Sequence, residues 1–376
     1  MPNLSNRRLA RVFGIDIEFH WTWLIILYLF GYSLGVYFSH AYHWGLWVAW
    51  TTAIITTLLF FVSVVLHELA HSLAARRYGL PVHTITLFVF GGVSQLTREP
   101  EQAGAEFVIA IVGPLTSLVL GAICLGLAQL GPRHVPVIAS LWWLGAVNLI
   151  LAVFNLIPGF PLDGGRVLRA IIWSANRNFI AATHWATRIG KIVAVLFIFY
   201  GVVMFFRGQG INGLWIAFIG WFLLTAAEQS WRQTEVKSAL EHFTVRDLSN
   251  PFFTTVPPDE PIESYFQQVT DSHNYRPSLV LTDGDELVGV IAPVDLRNAP
   301  RPQWPLLRVK DLMVPRARLA TVTMDEGLME ALEKMALHGV SQLPVIDDGH
   351  VRGVIRRDRI LELLQNALSQ NGNKAG

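Results

Sequence analysis

The chain has 376 residues, of which 52% are hydrophobic and only 15% are charged, and its formal net charge is +1. So apolar a composition excludes a purely soluble protein and indicates a membrane protein. The near-neutral charge, without a basic stripe, excludes a nucleic-acid partner. The single cysteine, Cys124, excludes internal disulfides and thiolate metal clusters.

Charged residues are unevenly distributed along the chain. Residues 1–228 hold 8 of the 28 acidic residues, and the last 148 residues hold the other 20. We therefore predict a membrane part followed by a soluble part.

Six membrane spans are predicted from uncharged runs. Residues 19–66 contain no Asp, Glu, Lys or Arg, and the run is long enough for two spans, since each needs roughly 20 apolar residues. Runs at 107–132, 134–162, 192–206 and 208–227 give the other four. Cations cluster on one side of these spans, so the positive-inside bias places both termini in the cytoplasm. The cations are Arg7, Arg8, Arg11, Arg76, Arg77, Arg98, Arg166, Arg169, Arg177, Arg188 and Lys191.

The second predicted span ends in the sequence HELAH. His67 and His71 are four residues apart, so on a helix they share one face, at the spacing with which two imidazoles bind one metal ion. In zinc proteases with this pattern the adjacent glutamate, here Glu68, is the general base. The alternative is a pair of core histidines with satisfied hydrogen bonds.

Membrane depth favours the metal site over core histidines. An ionisable group there costs on the order of 2.5–3.5 kcal/mol. Zinc binding, on the order of 10 kcal/mol in structural sites, offsets that cost.

Catalytic zinc usually has three protein ligands, so we expect a third from another span. The fourth predicted span ends in NLIPGFPLDGG, where Asp163 is the only acidic residue between Glu106 and Glu228. The surrounding prolines and glycines break a helix, and irregular backbone at membrane depth is tolerated where it lines a cavity. Asp163 is therefore the candidate third ligand. The alternative is a loop with a solvated aspartate.

These two motifs together resemble the site-2 protease family of intramembrane zinc metalloproteases. The resemblance extends to FGIDIEFHWTW before the first span, LFVFGGVSQL after the second and VGPLTS in the third. It implies one Zn²⁺ per chain, with Glu68 as general acid and base. The ligands that it implies are His67, His71 and Asp163.

Two further residues bear on this resemblance. By analogy with the family, Asn155 holds the substrate backbone or the developing oxyanion, although an asparagine there can equally cap the broken backbone. Where the family often has asparagine in the third-span motif, this chain has Ser117.

A short β-rich stretch, HTITLFVFGGVSQL, occupies residues 83–96. It is too short for a span, and Gly91 and Gly92 suit a hairpin turn. We predict a re-entrant β-hairpin whose edge pairs with an unwound substrate segment by strand addition. A hairpin that only packs against its neighbours is the alternative.

After Trp231 the sequence changes to short β-rich runs and amphipathic helices, and it repeats itself with an offset of 64 residues. VRDL at 245–248 recurs as VKDL at 309–312, and GVI at 289–291 recurs at 353–355. The second copy predicts helix, strand, a turn at DDG, strand and helix. This repeat resembles a tandem pair of CBS domains.

The CBS resemblance implies an adenine nucleotide such as ATP as a ligand, and a homodimer formed through these domains. After GVI, such domains usually have a threonine and, three residues further, an aspartate that hold phosphate and ribose. The two copies here have Ala292 with Asp295, and Arg356 with Arg359. Asp295 is thus the candidate ribose contact and the arginines suit phosphates. A module used only for dimerisation is the alternative.

The sequence thus predicts a polytopic α-helical membrane protein, with six transmembrane helices and a re-entrant β-hairpin, joined to a cytoplasmic α/β CBS-domain pair. The expected domains are 1–228 for the membrane protease, 229–244 for a linker, 245–300 and 301–367 for the CBS domains, and 368–376 for a disordered tail.

The predicted function is a zinc metalloprotease in the cell membrane, surrounded by lipid, that hydrolyses membrane-anchored proteins and is regulated by its CBS domains. The rival is a CBS-gated metal transporter or channel. A catalytically silent scaffold is disfavoured by the presence of all four metal-site residues.

Overall fold

The structure, a computed structural model, describes residues 6–88, 91–96, 100–272, 277–282 and 286–374. The chain forms two compact units, Met1–Arg232 and Gln233–Gly376. Part of the predicted linker, residues 229–240, is helical.

Long apolar helices build the first unit. Within the described residues, five helical stretches are long and apolar enough to cross a membrane. The first four contain α1 (Trp23–Tyr42), α2 (Leu46–Arg77), α3 (Ala103–Leu127) and α4 (Pro136–Asn155). Many of their large apolar side chains are exposed, as expected for surfaces that face lipid rather than water. A shorter helix, α5 (Asp163–Asn176), follows α4.

The fifth stretch, Phe179–Leu240, is two helices joined by a π-helical turn at Phe205–Gln209. These are α6 (Phe179–Met204) and α7 (Gly210–Leu240). A Cβ at Gly201 would collide with the backbone of Ala217, and Lys191 donates to Glu228 at 3.1 Å, so the two helices run antiparallel. This pair supports the count of six spans, which stays a prediction.

A four-stranded sheet lies beside α2. Its order is β1 (Asn6–Val12), β2 (Ile15–His20), β3 (Val82–Phe88) and β4 (Gly91–Leu96). β2 pairs with β3 in parallel, and the other pairs are antiparallel. Ile15 lies in a buried cluster with Leu69, and Ile17 in one with Phe60. The sheet therefore follows the half of α2 that carries His67.

Strands β3 and β4 pair as a hairpin within the predicted residues 83–96, and its re-entrant placement stays a prediction. The predicted turn at Gly91 and Gly92 is wrong. Both glycines lie in β4, where they pair with Phe88 and Leu87. The strand register thus places the connection before the glycines, and it lies outside the described residues.

The second unit shows the repeat. The first copy contains α8 (Val245–Leu248), β5 (Thr255–Val256), α9 (Ile262–Ser272), β6 (Ser278–Leu281) and β7 (Leu287–Ile291). The second contains α10 (Val309–Leu312), β8 (Val314–Pro315), α11 (Leu328–His338), β9 (Gln342–Asp347), β10 (His350–Arg356) and α12 (Arg357–Lys374). The expected order in the second copy is confirmed, with Asp348 and Gly349 at positive φ in its turn. The predicted disordered tail, 368–376, is helical as far as Lys374.

Each short helix packs into the core of the other copy. Val245 of α8 is buried with Leu328 of the second copy, and Val309 of α10 is buried with Ile262 of the first. The backbone N–H of Val245 donates to the Glu326 carbonyl at 2.8 Å, and that of Val309 to the Glu260 carbonyl at 2.9 Å. The two copies are therefore an interlocked pair.

Candidate metal centre

Three side chains that lie far apart in the sequence meet in the first unit. The Nε2 atoms of His67 and His71, one turn apart on α2, are 3.1 Å apart. Asp163 Oδ2 lies 3.2 Å from each of them. Both histidines are buried, and the Asp163 side chain is only 16% exposed. Among the described residues, these three form a group that could hold one metal ion.

Helix α3 orients the two imidazole rings. His71 Nδ1 lies 2.6 Å from the backbone carbonyl of Ile109. Because a carbonyl can only accept, this nitrogen carries the hydrogen, which leaves a lone pair on Nε2 of the neutral ring. His67 Nδ1 bonds with the hydroxyl of Ser117 at 2.9 Å. Such partners on the far nitrogen fix the ring orientation of metal-binding histidines.

Ser117 thus occupies a definite place beside the metal centre. The sequence marked it only as a departure from the family pattern. Its hydroxyl is fully buried and contacts the ring of His67, the first histidine of the HELAH motif.

Gly113 allows α3 to pass directly under the rings. A Cβ on this residue would overlap Nε2 and Cε1 of His71 and would lie 2.8 Å from His67 Nε2. The absence of a side chain there leaves room for the nitrogen atoms and for whatever they bind.

The donor set fits Zn²⁺. Two imidazole nitrogens and one carboxylate oxygen are ordinary ligands of catalytic zinc, and bonds of about 2.0–2.1 Å in a tetrahedron place ligand atoms about 3.3 Å apart. The observed separations of 3.1–3.2 Å are close to that value.

An irregular segment places Asp163 at the site. It connects the end of α4 at Asn155 to the start of α5 at Asp163, as the prolines and glycines predicted. The N–H of Phe160 donates to the carbonyl of Ala186 on α6 at 3.3 Å. Any side chain at Gly190 on α6 would collide with the backbone of Phe160. The segment is therefore held tightly against α6.

The other two predicted site residues, Glu68 and Asn155, are close in the sequence to His67 and to Asp163, respectively. Glu68, on α2 beside the first histidine, is half-buried. Asn155 is the last residue of α4 and is half-buried.

A buried ion pair near the site was not foreseen. Arg169 on α5 was predicted among the cytoplasmic loop cations, but it is only 4% exposed and bonds with Glu106 on α3. Glu106 is fully buried. The available signal was a glutamate at the start of an apolar helix, which at membrane depth calls for a cationic partner.

The second unit contains a pocket of about 390 Å³. Asn250, Phe252, Gln342 and Arg356 are among its lining residues, and of these the sequence singled out only the arginine. Asp295, the candidate ribose contact, is not in the lining. Its carboxylate instead accepts from the backbone N–H of Ala292 at 2.8 Å.

Comparisons with known proteins cover both units. Residues 55–135 and 128–201 match the model of peptidase family M50, and residues 309–366 match the model of the CBS domain. The chain is 36% identical over 368 residues to sll0528 of Synechocystis sp., which covers 96% of each chain. It is 31% identical over 358 residues to zinc metalloprotease MJ0392 of Methanocaldococcus jannaschii, which covers 95% of each.

A solved structure is also similar to part of the chain. The site-2 protease from Methanocaldococcus jannaschii is 33% identical, with a TM-score of 0.42, and the match covers 60% of this chain and 95% of that one.

Proposed function

The chain belongs to peptidase family M50, the site-2 protease family, and on this premise we propose that it is an intramembrane zinc protease that hydrolyses membrane-anchored proteins. One observation carries the proposal. Two imidazole nitrogens of the HELAH motif and the distant carboxylate of Asp163 converge within 3.2 Å of one another, with Glu68 on the same helix.

The residues divide the chemistry among themselves. His67, His71 and Asp163 hold the zinc ion, which when bound polarises the substrate carbonyl and lowers the pKa of water to near neutrality. Glu68 takes a proton from the attacking water and delivers it to the departing amide nitrogen. Asn155, at the end of α4, holds the substrate backbone or the developing oxyanion.

Strand β4 presents the substrate to this site. It is the last strand in the sheet order, so one of its edges has no partner strand among the described residues. A peptide bond must leave its helix before it is attacked, and an extended segment pairs readily with a free strand edge. Because the sheet follows α2, a segment added to β4 runs beside the HELAH motif.

The protein is a multi-pass membrane protein, and the proposed orientation places the N-terminus and the CBS pair in the cytoplasm. Arg76 and Arg77 end α2, and Arg76 Nη1 donates to the Phe13 carbonyl at 2.5 Å. His71 lies five residues before Arg76, or roughly 8 Å along a helix. Water therefore reaches the site from the cytoplasmic face.

A regulatory role for the CBS pair is the second proposal, and the pocket in the second unit favours it. Arg356 is among the lining residues, and one nitrogen of its guanidinium bonds with Asp358. A guanidinium group recognises phosphates. We propose an adenine nucleotide as the ligand and a homodimer through the same domains.

One variant separates the protease from a metal transporter. Glu68→Gln should keep one zinc per chain and lower cleavage of co-expressed single-span proteins by about 10²–10⁴, the usual contribution of a general base. Glu228→Gln, at a half-exposed side chain paired with Lys191, is the control and should cleave normally. A transporter does not need a water-activating carboxylate. Two results together would favour the metal transporter: the wild-type protein cleaves no substrate, and Glu68→Gln still carries zinc across the membrane.

A further inference from the structure

One face of α3 carries its contacts with the metal site. The Ile109 carbonyl and the Ser117 hydroxyl bond with the two histidine rings, and Gly113 lies against both rings. Extending this face by one turn toward the N-terminus reaches Glu106. The positions 106, 109, 113 and 117 are separated by three, four and four residues, which is the spacing of one helix face.

Glu106 binds the helix that carries the third ligand. Arg169 Nε donates to Glu106 Oε1 at 2.7 Å, and Nη2 donates to the same oxygen. The guanidinium also lies over the rings of Phe160 and Phe179, 4.9 Å and 4.5 Å from their centres. Phe160 belongs to the irregular segment that leads into Asp163. The arginine thus links α3, that segment and the start of α6.

Asp163 is the first residue of α5, and Arg169 lies six residues later on the same helix. That separation corresponds to about 9 Å of a rigid helix. Anchoring α5 at Arg169 therefore restricts both the rotation and the sliding of α5, which set the place of the Asp163 carboxylate.

We propose that the Glu106–Arg169 pair is a positioning device for the metal centre. Through it, the same face of α3 that orients His67 and His71 also aligns Asp163 with them, so one helix face sets all three ligands. A buried ion pair often adds little net stability over an apolar pair of similar size. The contribution of the Glu106–Arg169 pair is instead to fix the position of α5, and with it the Asp163 carboxylate, relative to α3. This inference rests on the proposed zinc site.

Two variants of the full-length protein in detergent test it. Glu106→Met/Arg169→Met replaces the pair with apolar side chains, which preserves packing and removes the directional bonds. Arg169→Lys keeps the charge and removes the planar fork. We expect zinc affinity, measured by chelator competition, to fall about tenfold in each, the low end of the range for groups that bond directly to a metal ligand, because the pair acts on Asp163 only through α5. The visible absorption of bound Co²⁺ should shift, because the ligand geometry changes.

A matched control separates positioning from general stability. Thr56→Val/Ser140→Ala removes another buried contact, the 2.7 Å hydrogen bond between α2 and α4, and should leave both the zinc affinity and the Co²⁺ spectrum unchanged. If either the folded Glu106→Met/Arg169→Met variant or the folded Arg169→Lys variant has wild-type zinc affinity and an unaltered Co²⁺ spectrum, the inference is overturned and the proposed function stands. A wild-type chain that binds no zinc would instead overturn the proposed function.

Discussion

Gly113 on α3 lies directly against Nε2 of His71 on α2, so closely that a single methyl group at residue 113 would overlap the ring. The site requires this close approach. If the His71 ring moved away from Gly113, it would lose its 2.6 Å bond to the carbonyl of Ile109, which is also on α3.

Gly113→Ala should therefore abolish zinc binding. The new Cβ displaces both imidazole nitrogens, and we expect zinc content below one tenth of the wild-type value, measured by metal analysis of the purified protein. Gly126→Ala, on the same helix with nothing within 4 Å of a Cβ, is the control. It should keep its zinc. Full zinc content in Gly113→Ala would contradict the geometry.

Ser117→Ala should weaken zinc binding while the protein remains folded. The alanine removes the hydroxyl that bonds with His67 Nδ1 at 2.9 Å, and loss of such a partner costs about 10–100-fold in metal affinity. Competition with a chelator gives the affinity. Thr116→Val, whose lost hydroxyl bonds with the Val112 carbonyl of its own helix at 2.7 Å, should bind zinc normally. Equal affinities in the two variants would refute a role for Ser117.

Ser94→Pro should reduce cleavage and spare zinc binding. Pairs along an antiparallel ladder alternate between hydrogen-bonded and non-hydrogen-bonded. If Phe88↔Gly91, the pair nearest the turn, is hydrogen-bonded, then Ile85↔Ser94 is a non-hydrogen-bonded pair, and the Ser94 N–H points away from β3. Proline removes this donor, so we expect at least a tenfold loss of cleavage of a membrane-anchored substrate at wild-type zinc content.

The control for strand addition is Ser94→Ala, which keeps the backbone donor and should cleave normally. Unchanged cleavage in Ser94→Pro would leave the hairpin as a packing element only.

Arg356→Ala should weaken nucleotide binding to the CBS pair. Arg356 lines the pocket, and a hydrogen bond to a charged group contributes about 1.5–3 kcal/mol, or roughly 10–100-fold in affinity for ATP. Calorimetric titration of the full-length protein gives the dissociation constants. Arg359→Ala is the control, since Arg359 is not among the residues that line this pocket and its guanidinium pairs with Glu362 at 2.9 Å. Wild-type protein that shows no heat with millimolar ATP would dismiss the nucleotide.

The sequence by itself determined whatever depends on local spacing. Hydropathy located the apolar helices, because each must satisfy its own backbone in lipid. The four-residue spacing placed His67 and His71 on one face, and prolines and glycines predicted the irregular segment before Asp163. The offset of 64 residues revealed the repeat, since equal structures recur at equal spacing.

Only the tertiary structure decided how distant segments meet. Three such contacts join residues that are far apart in the sequence. They are the parallel pairing of β2 with β3, the burial of Arg169 against Glu106, and the exchange of short helices between the CBS copies. The same holds for the contacts of Ser117 and Gly113 with the histidine rings. The physical reason is that such contacts depend on how helices and strands pack against one another, whereas helical and strand periodicities describe each element alone.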